Sequence, residues 1–202
     1  MPHEPTILAF DTSAAHCAAA LLVAGEIVWE RVEEMGRGQA ERLMPLLEEG
    51  LAEAGLSWRN LDAVAVGVGP GNFTGIRIAV AAARGLALAT GKSAIGISTL
   101  QAQAEDMPRP CLSLADARRG MHYAQVLRSD GDEAPMIVND PTSLSPTLTR
   151  APVANPATLA PAMARLAAQR LATGEPIPRP APLYVRGPDA APPKDPAPVI
   201  LP

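Results

Sequence analysis

Lysine is almost missing from this 202-residue chain: Lys92 and Lys194 are the only two, and scattered arginines supply the rest of the positive charge. With a formal net charge of -4 and no basic stripe interleaved with aromatics, the composition argues against a chain that grips nucleic acid on its own. Aromatic side chains are as few, two each of Phe, Trp and Tyr, so stacking of bases on the surface is a weak expectation. Cys17 and Cys111 are isolated in apolar, strand-like runs with no partner at metal or redox spacing, and read as core thiols. His3, His16 and His122 lie far apart and read as surface or hydrogen-bonded strand residues, so no metal site is expected. No stretch approaches the roughly 18 consecutive apolar residues of a membrane span. The start, Met-Pro-His-Glu-Pro-Thr, lacks the basic region of a signal peptide. A cytoplasmic location without a membrane partner is the expectation.

What is present is an apolar fraction of 48%, enough for a substantial core. Thr6 to Asp11, His16 to Val23 and Glu26 to Val32 read as three strands of an antiparallel meander. Gln39 to Ala54 sets Leu43, Leu46, Leu47 and Leu51 at helical spacing opposite four glutamates, an amphipathic helix despite Pro45. A strand at Ala63 to Val66, a helix at Phe73 to Thr90, a strand at Ser93 to Ile97 and a helix at Ser98 to Glu105 complete a first lobe, residues 1–106. Met107-Pro108-Arg109-Pro110 punctuates the chain. Strands at Cys111 to Ala115 and Met121 to Leu127 and a helix at Pro156 to Ala172 make a smaller second lobe, residues 107–174. Residues 175–202 are rich in proline and alanine and read as an extended or disordered tail. The pattern gives an α/β class.

Gly67-Val68-Gly69-Pro70-Gly71-Asn72-Phe73-Thr74-Gly75-Ile76-Arg77 joins a buried strand to the long helix through a turn that few backbones can make. Its spacing fits neither a Walker loop nor the Rossmann fingerprint. Two readings stay open: a cradle for a phosphate group at a helix start, or a tight turn on which another backbone packs closely. The helix that follows is apolar almost all round, broken mainly by Arg77 and Arg84, which suggests two covered faces.

Gly69 to Arg77 resembles the Gly-Pro-Gly-Ser-Phe-Thr-Gly-Leu-Arg signature of the TsaB (YeaZ) family of tRNA threonylcarbamoyladenosine synthesis. Phe10-Asp11-Thr12-Ser13, Asp116-Ala117-Arg118-Arg119-Gly120 with Tyr123, and Tyr184-Val185-Arg186 match further motifs in the family's order, closely from Thr6 to Tyr123 and thinly beyond. The resemblance implies lobes of the actin, sugar-kinase and Hsp70 type (RNase H-like), each a mixed sheet with flanking helices. It implies a noncatalytic partner subunit that supports a TsaD-type transferase, beside a TsaE-type ATPase, and that pairs with itself when alone. ATP or ADP and metal would then sit on partner subunits, none would be required by this chain, and tRNA would be contacted only indirectly.

By the same resemblance, Asp11, Thr12, Ser13, Gly69, Gly71, Thr74 and Asp116 outline a nucleotide or phosphate cleft. In phosphate-transferring relatives the acidic residues help place magnesium; here the alternative is that Asp11 and Asp116 cap turns. The expected partner surface comprises Leu43, Leu46, Leu47 and Leu51 on the first helix with Ile76, Arg77, Val80, Ala83, Arg84 and Ala87 on the second. Arg118, Arg119 and Tyr123 form the second-lobe signature. Thr99 and Gln103 stand where the transferase carries two metal-binding histidines, and neither is a credible ligand for that metal. A stand-alone nucleotide-binding ATPase or kinase is the rival reading. A peptidase ranks lower, because Ser13, Ser98, Ser113 and Cys111 lack an activating motif.

Overall fold

The computed structural model describes residues 4–144 and 147–185. Strands β1 (Ile7–Asp11), β2 (His16–Val23) and β3 (Glu26–Glu34) form the meander, followed by helix α1 (Gln39–Glu53). After a 3-10 turn at Trp58–Asn60 come β4 (Ala63–Gly67), α2 (Phe73–Thr90) and β5 (Ser93–Ile97). β4 pairs in parallel with both β1 and β5, giving the order β3-β2-β1-β4-β5. The predicted bounds of β2, α2 and β5 coincide with these elements, while β3 runs two residues further, to Glu34. The helix expected from Ser98 to Glu105 is a single turn, α3 (Thr99–Ala102), capped by Ser98 Oγ accepting from the Gln101 N–H.

A second sheet, in the order β8-β7-β6-β9, is built from β6 (Cys111–Asp116), β7 (His122–Leu127), β8 (Met136–Val138) and β9 (Thr149–Arg150). Gln103 Nε2 ties it to the first lobe by donating to Ser113 Oγ at 2.6 Å and to the Leu114 carbonyl at 2.7 Å. The last helix, α4 (Pro156–Ala172), begins with Asn155 as N-cap and Pro156 in its first turn.

Strand alternation divides the first sheet's core in two. Leu8, Phe10, Val64 and Val66 face α1 and α2, packing on Leu43, Leu47, Ile76 and Val80. Ile7, Ala9, Ala63 and Ala65 face the opposite way, onto Leu159, Met163 and Ala167 of α4. Small side chains on both partners let α4 approach the sheet closely. The expected boundaries assign this helix to the second lobe; its apolar face instead covers the first sheet, whose two-sided burial requires a layer on each side.

α2 is the one described helix long and apolar enough, by length and composition, to cross a membrane. It is the crossover between the adjacent parallel strands β4 and β5, and Ile76, Ala79, Val80 and Ala83 are buried beneath it, so packing on the sheet accounts for much of its apolar character. Beyond α4 the described tail is an extended strap. Leu183 donates its N–H to the Val68 carbonyl at 2.8 Å, and Pro180 packs beside Gly96. Arg186 and the remaining tail, the subject of the expected disorder, lie outside the described residues.

Candidate functional cleft

The glycine-rich turn is seated on the β1–β2 hairpin, backbone on backbone. Ser13 O accepts from the Asn72 N–H at 2.6 Å, and Thr12 Oγ1 donates to the Gly75 carbonyl at 2.7 Å. A Cβ at Gly71 would come within 2.5 Å of Ser13 O, and one at Gly75 would overlap the Thr12 carbonyl oxygen. Glycine is required there by close approach. Asn72 caps α2, its Oδ1 accepting from the Gly75 N–H at 2.9 Å, so this helix start already carries its own cap. These contacts favour the close-packing reading of the turn. The Asn72 signal was available in the sequence as an N-cap residue ahead of an apolar helix.

Asp11 lies beneath this contact, fully buried. Its Oδ2 accepts from the Ser13 N–H at 3.0 Å and Ser13 Oγ at 2.8 Å, and lies 2.8 Å from His16 Nε2. Oδ1 has no hydrogen-bond partner among the described residues and lies where a side chain at Gly67 would stand. The carboxylate therefore fastens the hairpin. Asp11 and Thr12, both 0% exposed, do not line the cleft, contrary to the expectation, because the hairpin folds over them. Asp116 is exposed and its Oδ1 accepts from the Arg118 N–H at 3.0 Å, the turn-capping alternative.

Between the two sheets opens a cleft of about 690 Å³. It brings together Ser13, Gly71 and Thr74 from the first lobe with Asp116, Arg118 and Tyr123 from the second. Gly69, at φ +89°, stays behind it, its carbonyl accepting from the Thr99 N–H at 2.9 Å. Thr99 lines the cleft; Gln103 is buried, its Nε2 engaged by the second sheet. No three His, Cys, Asp or Glu residues converge on a metal-sized site among the described residues. Arg118 and Arg119 both sit in the left-handed region, at φ 64° and 55°, on the exposed β6–β7 turn. For non-glycine residues that conformation is uncommon, and here it aims Arg118 at the cleft.

The expected partner surface needs correction. Leu43, Leu46, Leu47, Leu51, Ile76, Val80 and Ala83 are at most 3% exposed, inside the chain's own core, and Ala87 is half-buried. The open stripe of α2 is Arg77, Ala81, Arg84, Gly85 and Leu88, Leu88 being 88% exposed. Two of these are held by the strap. Arg77 Nε donates to Tyr184 Oη at 2.8 Å while its guanidinium lies 3.7 Å above the Phe73 ring, which stacks on Tyr184. Arg84 Nε donates to the Pro180 carbonyl at 2.8 Å. Separations of 107 and 96 residues leave no local trace of these contacts in the sequence.

The fold and cleft define an α/β protein of two unequal lobes, a five-stranded and a four-stranded sheet with flanking helices. A family model described as TsaD, tRNA N6-adenosine threonylcarbamoyltransferase, matches residues 27–180. The chain is 37% identical over 130 residues to the tRNA threonylcarbamoyladenosine biosynthesis protein TsaB of Haemophilus influenzae, covering 61% of this chain and 54% of that one. The Escherichia coli TsaB is 35% identical over 130 residues, with 61% and 56% covered. The match thus spans little more than half the length of these relatives. Among solved structures, YeaZ from Pseudomonas aeruginosa superposes with a TM-score of 0.70 at 28% identity, covering 89% of this chain and 99% of that one. The chain belongs to the tRNA N6-adenosine threonylcarbamoyltransferase (TsaD) family, and TsaB and YeaZ proteins are among its relatives.

Proposed function

We propose that this protein is a noncatalytic partner subunit in the attachment of threonylcarbamoyl to the adenosine beside the tRNA anticodon. In this reading it supports a TsaD-type transferase, with a TsaE-type ATPase as a further subunit and self-association when the transferase is absent. The observation that carries the noncatalytic part is the state of Asp11: buried, occupied by Ser13 and His16, and out of the cleft. A carboxylate so placed fastens a hairpin and does not reach a hydrated metal at a phosphate. Nucleotide and metal would then be held by the partner subunits, and tRNA would meet this chain only through them. The docking element is α2, whose Ala81 and Gly85 give a small-residue stripe on which a second helix can lie close.

Size-exclusion chromatography with light scattering, on the chain mixed with the transferase of its own organism, tests this. A one-to-one complex is expected at about micromolar concentration. Ala81→Arg should abolish it while circular dichroism stays unchanged, since Ala81 faces outward. Absence of a complex with the unmodified chain would overturn the assignment.

A further inference from the structure

A second hollow, of about 640 Å³, lies at the C-terminal end of α2, between that helix, the start of β5 and the strap. Three of its lining side chains are cations: Arg84, Lys92 and Arg179. The hydroxyl-bearing Ser93 completes the polar side of its wall, and no acidic residue lines it among the described residues. In a chain of net charge -4 this is an unusual local excess. Elsewhere Arg31, Arg42, Arg109, Arg128 and Arg165 each face a carboxylate. The three cations here form no ion pair with any described residue. Arg84 is oriented by the bond from its Nε to Pro180 O, which leaves the outer edge of its guanidinium without a hydrogen-bond partner among the described residues. The helix C-terminus contributes roughly half a negative charge. That offset is small against three unit charges, and two of the terminal carbonyls, Leu86 and Ala87, are already bonded by Thr90 Oγ1 and the Gly91 N–H.

We infer that this pocket binds a phosphate group. Two guanidinium forks and an ammonium match the oxygens of a phosphoryl anion in geometry and charge. The phosphate belongs either to a free polyphosphate or to a polynucleotide backbone, which present the same oxyanion. The inference can be tested apart from the cleft and from the partner-subunit reading, because Lys92 and Arg179 belong to neither.

Isothermal titration of the full chain with inorganic pyrophosphate, and fluorescence anisotropy with a labelled single-stranded RNA oligomer, test it and separate the two sources. Binding of one probe is expected with Kd of about 1 mM or tighter in low salt. Lys92→Gln combined with Arg179→Gln should weaken it about tenfold, with urea unfolding unchanged because neither side chain supports the core. For the RNA, the slope of log affinity against log salt should fall by about one for each cation removed. Lys92→Arg should retain binding. Arg118→Gln, which alters the cleft instead, should leave binding intact. Binding of neither probe, equal binding by the double variant, or loss in Arg118→Gln alone would each overturn the inference.

Discussion

Gly75 and Gly85 occupy one helix and carry opposite demands. A methyl at Gly75 would stand on the Thr12 carbonyl, whereas one at Gly85 meets nothing within 4 Å. Gly75→Ala is therefore expected to destabilise by about 3 kcal/mol. Gly85→Ala should stabilise by about 1 kcal/mol through helix propensity, and urea unfolding of the two variants checks the contrast. Arg119, at φ 55°, poses the reverse problem. Arg119→Gly should gain about 1 kcal/mol by relieving a left-handed backbone, so a loss of stability would mean that its side chain holds the turn. Cys17 has its thiol pushed up to about 11, first by burial and then by Glu33. Since the thiolate is the reactive form, native Cys17 should resist alkylation at pH 8 and react only after unfolding.

At the scale of elements, the join between β3 and α1 depends on charge as well as on apolar contact. Arg42 bonds Glu33 at 2.6 Å and Glu49 at 2.6 Å, Arg31 bonds Glu49 and Glu53, and Trp29 Nε1 donates to Glu53. Hydrogen bonds from Arg42 hold the Glu33 and Glu49 carboxyls below their ordinary value of 4.5. Glutamates depressed in the folded state contribute stability that is full above the unfolded value and lost as pH falls through the folded ones. Acid unfolding followed by circular dichroism should thus steepen below about pH 4.5, and Arg42→Gln should flatten that limb while lowering stability at pH 7. High salt should reproduce part of the variant's effect, because these pairs are partly exposed. The helices and strands themselves were legible in the sequence because their signals are local, as the bounds of β2, α2 and β5 attest. The open face of α2 was not. A periodic apolar stripe such as Leu43, Leu47 and Leu51 reports that a face is covered, and says nothing of whether the cover belongs to the same chain. The burial of Asp11 is hidden for a related reason: its position at a strand end is visible in the sequence, while the hairpin that folds over it is not.

For the whole molecule, the ordering of layers along the chain matters more than the count of lobes. The first sheet is covered on one face by α1 and α2, and on the other by α4, which follows the entire second sheet in sequence. A chain ending at residue 106 should accordingly bind an apolar dye and unfold without a cooperative transition, since Ile7, Leu22, Ile95 and Ile97 would lose their cover. A sharp two-state transition in that fragment would contradict the layering. The placement of α4 also bears on birth of the protein at the ribosome. The nascent chain can pair its first five strands early, yet one side of that sheet stays greasy and bare until residue 172 has cleared the exit tunnel. During that interval the growing polypeptide is a client for holding chaperones, and slowing translation ahead of Pro156 would lengthen its exposure.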